Sequence, residues 1–585
     1  MCFYSFIIVF LHAKHMMCMN IRKSLLMLML SVFGLTCSAQ SDDGHNFTVA
    51  KNMDVFTSIY KNLDMLYVDT LDADEVIGNG INSMLRSLDP YTTYYPEDKM
   101  SDWRMKVQGK YAGIGAMIRY NMKLKNTVII EPYEGMPAAE VGLKKGDIIL
   151  AIDDSTMVGK SSDYVSQHLR GDAGTSFVLK IKRPSTGKTM KMKITRRAIT
   201  TPAVSYYGLD DDGVGYIGLN QFIENCSKDV RRAFIEMKKN GMKALVFDLR
   251  DNGGGLEQEA VNIVNMFIPN GKLVVSNRGK LKSQDKNYYT TVEPIDTVMP
   301  IVVLVNGNTA SASEITSGAL QDFDRAVIMG TRTYGKGLVQ MTVEVPYNGI
   351  MMLTSNKYYI PSGRCIQAIN YKHDRGGYVE HVPDSLTHVF YTARGREVRD
   401  GGGIMPDVEV KPDTMSNIAA YLQSVDSTET LHQYEVEYMA KYPTIAPAKD
   451  FELSDDDYEE FKRMVIENDF KYDRGSETIL RELKKIAQFE GYYDGAKEEF
   501  DNLEKKLKHN VERDLDFNRD EIKQMISVDL ATAYYFQAGG VVCNLKYDKA
   551  MAEARRLLNS IDEYNSILSG AKSAEQTQSA EPVEQ

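Results

Sequence analysis

The run Ala244-Leu245-Val246-Phe247-Asp248-Leu249-Arg250-Asp251-Asn252-Gly253-Gly254-Gly255 decides the fold. From Ala244 to Leu249 it is apolar but for Asp248, the pattern of a strand covered on both faces. The triple glycine makes a loop, and an apolar-periodic helix follows to Phe267. The alternation then repeats. Ile301–Val305 reads as a second buried strand, Ser311–Phe323 as a helix, and Ala326–Met329 as a third strand. Upstream, Tyr216–Phe222 reads as a strand and Lys228–Lys239 as a helix ended by Gly241. Strands alternating with helices predict parallel pairing through right-handed crossovers, so residues 205–412 form an α/β core.

Working outward, residues 107–200 are a compact module of short strands: Thr127–Ile130, Ile148–Ile152, Phe177–Ile181 and Met190–Ile194, with a helix over Ser161–Leu169. The segment 47–106 reads as a helical cap, with Val55, Ile59, Leu63 and Leu66 near one face and a stop at Asp89-Pro90. Residues 413–569 are charged and helical, with amphipathic stretches over Tyr458–Ile466, Glu477–Phe489, Gly495–Leu507 and Ala550–Ile561. The last stretch, 570–585, is polar enough to be a disordered tail. The fold class is thus multidomain α/β: a helical N-terminal cap, a β module, an α/β core and a helical C-terminal region.

Residues 1–39 read as a signal peptide. Arg22-Lys23 precedes an apolar run from Leu25 to Leu35, and Cys37-Ser38-Ala39 offers a small-residue cleavage point. A second apolar stretch from Phe3 to Ala13 suggests that the biological start is Met19 and that 1–18 are an upstream extension. Beyond the leader only Cys226, Cys365 and Cys543 remain, too few for a disulfide framework. Nine histidines and six cysteines occur without C-x-x-C or H-x-x-x-H, so no metal site of common spacing is expected and no cofactor is implied. A net charge of −11 argues against nucleic acid as a partner. His373, His381 and His388 sit in a polar stretch and read as solvated loop residues.

Three loops of the α/β core could carry chemistry, because sites form at the C-terminal ends of strands in open α/β sheets. Asp251–Gly255 fits neither dinucleotide nor P-loop spacing, which leaves an oxyanion hole or a plain tight turn. In Asn308–Glu314, Ser311-x-x-Glu314 fits a helix capping box. The same geometry would set a serine beside unpaired amides at the positive end of a helix dipole, which suits an oxyanion. In Tyr334-Gly335-Lys336-Gly337, the lysine is either an exposed turn residue or a base carried in on a tight turn. As a base its pKa would have to fall by roughly three units, at a cost of about 4 kcal/mol, which requires a dry site. Gln340 lies four residues on. If the strand began at the lysine, even spacing would put both side chains on one face, where the amide oxygen could orient the amine.

Together these motifs resemble the carboxyl-terminal processing peptidases, or tail-specific serine proteases. The resemblance runs from Ser87-Leu88-Asp89-Pro90 through Asp248–Gly255, Ser311–Ile315, Tyr334–Gly337 and Lys357–Arg364 to Gly403-Ile404-Met405-Pro406-Asp407. Tyr334 stands where the family usually has Phe. Within residues 107–200, Gly113-Ile114-Gly115, Pro137-Ala138-Ala139 and Gly142–Asp147 resemble a PDZ domain. The resemblance implies a crotonase-like peptidase core with Ser311 as nucleophile, Lys336 as general base and Gln340 as its orienting partner. The amides of Ala312 and Gly255 would form the oxyanion hole. Ser313 resembles the serine beside the nucleophile and is the one residue that could exchange roles with Ser311. In the PDZ module, Gly113, Ile114 and Gly115 would hold the C-terminal carboxylate of a peptide added to the sheet edge.

The implied function is an exported serine endopeptidase acting on C-terminal regions of protein substrates, periplasmic or membrane-associated on the outer side of the inner membrane. Its partners would be protein or peptide substrates bound through their C-termini, with room for an adaptor or a homo-oligomer. Two other readings compete. One is a catalytically inactive PDZ scaffold, against which the joint presence of Ser311, Lys336 and Gln340 argues. The other is a crotonase-like thioester enzyme, which the leader and PDZ module disfavour. A Ser–His–Asp hydrolase is disfavoured by the absence of G-x-S-x-G.

Overall fold

Every residue of β11 (Val214–Leu219), β12 (Ala244–Asp248), β15 (Ile301–Val305) and β16 (Val327–Gly330) is buried, which requires a layer on each side of the sheet they form. The computed structural model describes residues 43–100, 103, 110–200, 202–368, 382–412, 414–424, 427–472, 475–507 and 510–570. The expected leader (1–39), His373, His381 and the tail beyond 570 lie outside these residues. The chain divides between Met84 and Leu85 into two compact units. In the first, α1 (Asp43–Leu66) leaves Phe47, Met53, Phe56 and Leu66 exposed, and α2 (Ala73–Arg86) runs past the division.

The remaining strands and α-helices up to residue 359 are as follows: β1 (Thr93–Tyr95), β2 (Lys110–Gly113), β3 (Ala116–Asn121), β4 (Asn126–Pro132), α3 (Pro137–Glu140), β5 (Ile148–Ile152), β6 (Ser155–Thr156), α4 (Ser162–Leu169), β7 (Ser176–Arg183), β8 (Lys188–Thr195), β9 (Arg197–Thr200), β10 (Val204–Leu209), α5 (Cys226–Lys239), α6 (Glu257–Val264), β13 (Leu273–Gly279), β14 (Lys286–Tyr289), α7 (Ala312–Asp322), β17 (Leu338–Val345) and β18 (Gly349–Tyr359).

The β module forms one antiparallel sheet in the order β3-β4-β5-β7-β8, with β3 at an edge. Ser161 caps α4 by accepting the Tyr164 N–H at 3.3 Å, and the helix packs beside β3. Ile129, Ile149, Leu179 and Ile181 fill the core, and β2 pairs with β9 to bring the two ends of the module together.

The main sheet runs β10-β11-β12-β15-β16 and ends on the short strand Val408–Glu409. All neighbours from β11 onward are parallel. One face is covered by α5, α6 and α7 through Phe234, Ile263, Phe267 and Ile315. The other is covered from nearly the far end of the chain. Helices α8 (Asn417–Ser424), α9 (Thr430–Lys441), α10 (Asp455–Glu467), α11 (Gly475–Phe489), α12 (Lys497–Leu507), α13 (Val511–Phe517), α14 (Arg519–Asn544), α15 (Lys549–Leu558) and α16 (Ile561–Ser569) complete the molecule. Met551, Leu557, Ile567 and Leu568 of α15 and α16 pack on Val246, Val302 and Leu304. The Tyr564 hydroxyl bonds both the N–H and the C=O of Ile301 at 3.0 Å. The helical region read from 413 onward therefore serves two cores: α8, α9, α10, α13 and α14 share their own, and α15–α16 complete the main sheet.

A second antiparallel sheet, β1-β18-β13-β14 with β17 on β18, lies beside the main one in sequence and supplies the lysine loop. Its edge strand β1 comes from the segment read as helical cap. Asp89 makes that turn: its carboxylate accepts the N–H groups of Tyr91 and Thr92 at 2.8 and 2.7 Å and the Thr92 hydroxyl at 2.8 Å.

Candidate active site

The loops after β12 and β15 are tied by short side chains. Asp251 accepts from Asn306 Nδ2 and Asn308 Nδ2, both at 2.9 Å, while its own N–H donates to Asn306 Oδ1 at 3.0 Å. Asn252 is fully buried, and its carbonyl accepts the Ala310 N–H at 3.0 Å and the Ser313 hydroxyl at 2.9 Å. Between these anchors Ser311 takes φ 59° and ψ −117° at the head of α7. That is a strained region for any residue but glycine, and residues held there cluster at functional sites. It is the kind of sharp strand-to-helix turn that lifts a nucleophilic serine out of a sheet, reached here without G-x-S-x-G. Ser311 lines a cavity of about 880 Å³, whereas Ser313 is fully buried with its hydroxyl spent on Asn252.

Gly254 lies directly against this turn. A Cβ there would meet Ala310 O at 2.6 Å and Ala312 N and Ser311 Cβ at 2.8 Å, and its φ is +92°. Its N–H is spent on Asn252 Oδ1 at 2.9 Å. Its carbonyl accepts the Phe222 N–H, and Leu256 N–H returns to Phe222 O, so Gly255 is turned the opposite way from Phe222. Ala312 is the first residue of α7, so its N–H has no acceptor within the helix. Gly255 lines the same cavity as Ser311, while Gly254 is the glycine packed directly against Ser311 and Ala312.

Glu314 holds the lysine loop to the serine. Its carboxylate is fully buried and accepts four bonds: the Ser311 N–H at 2.8 Å, the Thr333 hydroxyl at 2.6 Å, the Gly335 N–H at 2.7 Å and the Lys336 N–H at 2.9 Å. Burial pushes its pKa up against the pull of those donors. The bond to Ser311 is the return bond of the predicted capping box. The other three reach the loop 19 to 22 residues away and were not legible from the local motif.

Lys336 lines the same cavity as Ser311, with its amine 4.3 Å from the centroid of the Tyr91 ring. Gln340 also lines it and donates Nε2 to Thr354 Oγ1 at 3.2 Å. The strand does not begin at the lysine, since β17 starts at Leu338, and the register shift between Val339 and Gln340 places its extra residue, Ser355, on β18, yet Lys336 and Gln340 line one cavity. Behind the serine, the Tyr358 hydroxyl donates to Ser311 O at 3.3 Å.

In the β module, Gly113 ends β2, and Ile114 and Gly115 form the loop leading into β3. Their carbonyls are engaged: Ile114 O accepts Ala138 N–H at 2.8 Å and Gly115 O accepts Tyr133 N–H at 2.9 Å. Strand β3 is an edge of the module's sheet, and helix α4 packs beside it. The face of this module with Arg119 and Lys145 is clamped by α9: Arg119 meets Glu429 at 2.5 Å and Lys145 meets Glu435 at 2.7 Å. Gly146 packs so closely on Val436 that no Cβ fits there. Burial and neighbouring Glu435 push the Asp529 carboxyl up to about 7, and burial drives His432 down to about 3.

Among the described residues no cluster of three or more His, Cys, Asp or Glu is placed to hold a metal, and no helix is long and apolar enough to cross a membrane. Sequence reasoning missed two contributors to the cavity region. Tyr91 follows a helix stop that gave no hint of a ring placed on Lys336, and Glu314 was read only as a cap.

Comparison with known proteins matches residues 213–375 to peptidase family S41, residues 128–183 to a PDZ domain and residues 421–558 to the probable PDZ-protease C-terminal helical domain. The carboxy-terminal-processing protease of Bartonella bacilliformis is 36% identical over 323 residues, covering 54% of this chain and 73% of that protein. A probable CtpA-like serine protease of Staphylococcus aureus is 33% identical over 339 residues, covering 57% of this chain and 66% of that protein. The solved photosystem II D1 C-terminal processing protease is 28% identical, covering 62% of this chain and 88% of its own, with a TM-score of 0.34.

Proposed function

The chain belongs to the carboxyl-terminal processing peptidases of family S41, and from that premise we propose that it is an exported endopeptidase whose nucleophile is Ser311, whose base is Lys336 and whose substrates are selected by their C-termini. The observation that carries the site assignment is the left-handed Ser311 backbone at the head of α7, in a cavity shared with Lys336 and Gln340.

The reaction is acyl transfer. Lys336 removes the Ser311 proton as Oγ attacks the scissile carbonyl, and the Ala312 and Gly255 amides stabilise the oxyanion, each worth roughly 100- to 1000-fold in rate. Lys336 then protonates the leaving amine, and water hydrolyses the acyl-enzyme. An amine over an aromatic face is favoured as the ammonium, so Lys336 must leave Tyr91 before it can act as a base. Gln340, its amide nitrogen held by Thr354, offers its carbonyl oxygen to the departing amine. Gly113, Ile114 and Gly115 take the substrate's terminal carboxylate while its last residues pair with β3.

Cleavage of an unfolded substrate by Ser311→Ala and Ser313→Ala variants tests the assignment. The first is expected to be inactive and the second to retain turnover, and undiminished activity in Ser311→Ala would overturn it. For the PDZ module, a peptide with a free C-terminus should bind measurably tighter than its C-terminal amide. For export, the mature N-terminus should fall after Ala39 and the protein should fractionate outside the cytoplasm.

A further inference from the structure

Two acceptor atoms in the wall of the active-site cavity have nothing to accept. Glu257 opens α6, two residues after Gly255, and Asn277 lies on β13 directly opposite Tyr358 of β18, the tyrosine that bonds Ser311. Both line the cavity that holds Ser311 and Lys336. Asn277 is 6% exposed, and its Nδ2 donates to Glu257 Oε2 at 2.8 Å. Its Oδ1 and the second carboxylate oxygen of Glu257 are buried without a hydrogen-bond partner. Rotating the Asn277 amide offers no escape, since it would set the amide oxygen against the carboxylate. Burial raises the Glu257 pKa, outweighing the hydrogen bonds of Asn277 and the more loosely placed Tyr288 hydroxyl and the charge of Lys286, all of which pull it down. Buried acceptors left unpaired are costly and rare, and where they line a cleft they mark the place of an absent donor.

We infer that Glu257 and Asn277 form a specificity subsite that takes a cationic substrate side chain, lysine or arginine, beside the scissile bond. A carboxylate oxygen and an amide oxygen, both lacking donors and tied together by one hydrogen bond, match an ammonium or guanidinium that donates to both. An apolar side chain there would leave both acceptors uncompensated, whereas a cation satisfies them and neutralises a partly desolvated charge. Asp285, which lines the same cavity, adds to the negative side of its field, and Lys286 opposes it. The subsite rests on Ser311 being the nucleophile, because it is the cavity shared with that serine that sets it beside the scissile bond.

The test uses the full chain and a set of quenched peptides that differ at one residue, scanned over the two positions on each side of the cleaved bond and occupied by lysine, glutamate, glutamine or norleucine. At one position kcat/KM for lysine should exceed that for norleucine by about tenfold or more, the discrimination of one charge-assisted hydrogen bond. Glu257→Gln should collapse the ratio towards unity. Glu257→Lys should invert the preference towards glutamate at that position. Equal rates for lysine and norleucine at every position in the wild-type enzyme overturn the subsite whether or not any variant folds, as does a ratio that survives Glu257→Gln. A preference for glutamine equal to that for lysine also overturns it, since it would mean that water or a neutral donor fills the site. Peptide cleavage that persists in Ser311→Ala would fault the nucleophile instead, so the two failures are separable.

Discussion

Replacing Glu314 tests whether one buried carboxylate sets the relative position of serine and lysine. In Glu314→Gln, the amide oxygen can keep the bonds from Ser311 and Lys336 N–H, and the new NH₂ can donate to a rotated Thr333 hydroxyl. The Gly335 N–H, at 2.7 Å, then has no acceptor. A buried donor left unmade costs about 1–3 kcal/mol, which removes about 5- to 150-fold of the local protection of that loop. Glu314→Ala orphans three N–H groups, and the local cost should reach about 3 kcal/mol at the least. Because burial already raises the carboxyl's pKa, the neutral isostere is the milder change and the truncation the severe one. The sign for pH follows. An acid with a raised folded pKa stabilises most at low pH, and that contribution is lost as pH rises through its folded value. Amide hydrogen exchange over 306–320 and 331–340 is the right measurement, since a chain of two units gives no single unfolding transition. Turnover should fall in the same order, because a displacement near 1 Å between reacting groups costs about 100-fold. Exchange in both segments and turnover in Glu314→Ala equal to wild type would refute the reasoning.

Gly254→Ala should abolish cleavage by more than about 100-fold, because its Cβ would strike the backbone of Ala310 and Ala312, while Gly253→Ala, with no atom within 4 Å, should remain active. A peptide assay on the pair checks this, and comparable rates would show that the loop does not fix the oxyanion site. Tyr564→Phe removes the bonds to both polar groups of Ile301 and should lower local protection of β15 by about 1–3 kcal/mol. Unchanged amide hydrogen exchange over 301–305 would mean that α16 is not needed to close the main sheet. Asp529, pushed up to about 7 by burial and Glu435, holds its proton to higher pH in the folded protein than in the unfolded chain. Docking of the PDZ module on α9 should therefore weaken as pH rises from about 4 to 7, by at most about 1.4 kcal/mol per unit. Limited proteolysis between the module and α9 should follow that trend in wild type and flatten in Asp529→Asn.

The parallel strands were legible because double burial forces apolar runs, so Ala244–Leu249 and Ile301–Val305 announced themselves within one or two residues of their observed ends. What covered their second face was not. The amphipathic pattern of Ala550–Ile561 says that a face is buried, but not against which partner, and that partner lies about 250 residues upstream. The three-residue β1 is too short to outweigh the helical period before it. Ser311 was picked out by loop position and family resemblance, while its positive φ had no local signature, since serine does not advertise a left-handed backbone. The premise for Lys336 and Gln340 was a strand starting at the lysine; β17 instead starts at Leu338, so the lysine sits in the preceding loop, and the two share a cavity without sharing a strand.

The helical region also links parts that the sequence left separate. Its α9 grips the PDZ module through Glu429, Glu435 and Val436, and Asp548, at the head of α15, meets Arg250 at 2.5 Å. Arg250 is in turn paired with Asp248 at the end of β12, two residues before the loop that leads to Gly254. A rigid-body shift of the module would therefore press on α9 and, through the shared core of α9 and α14, on the helices that complete the sheet. Packed interfaces of this kind respond by exchanging discrete arrangements rather than by yielding continuously. A peptide added to β3 would therefore act on the loops around Ser311 along this route, and Asp548→Ala, which removes both the pair to Arg250 and the N-cap that Asp548 gives α15, should weaken that response. If that variant's cleavage still responds to such a peptide as the wild type does, the coupling runs by another route.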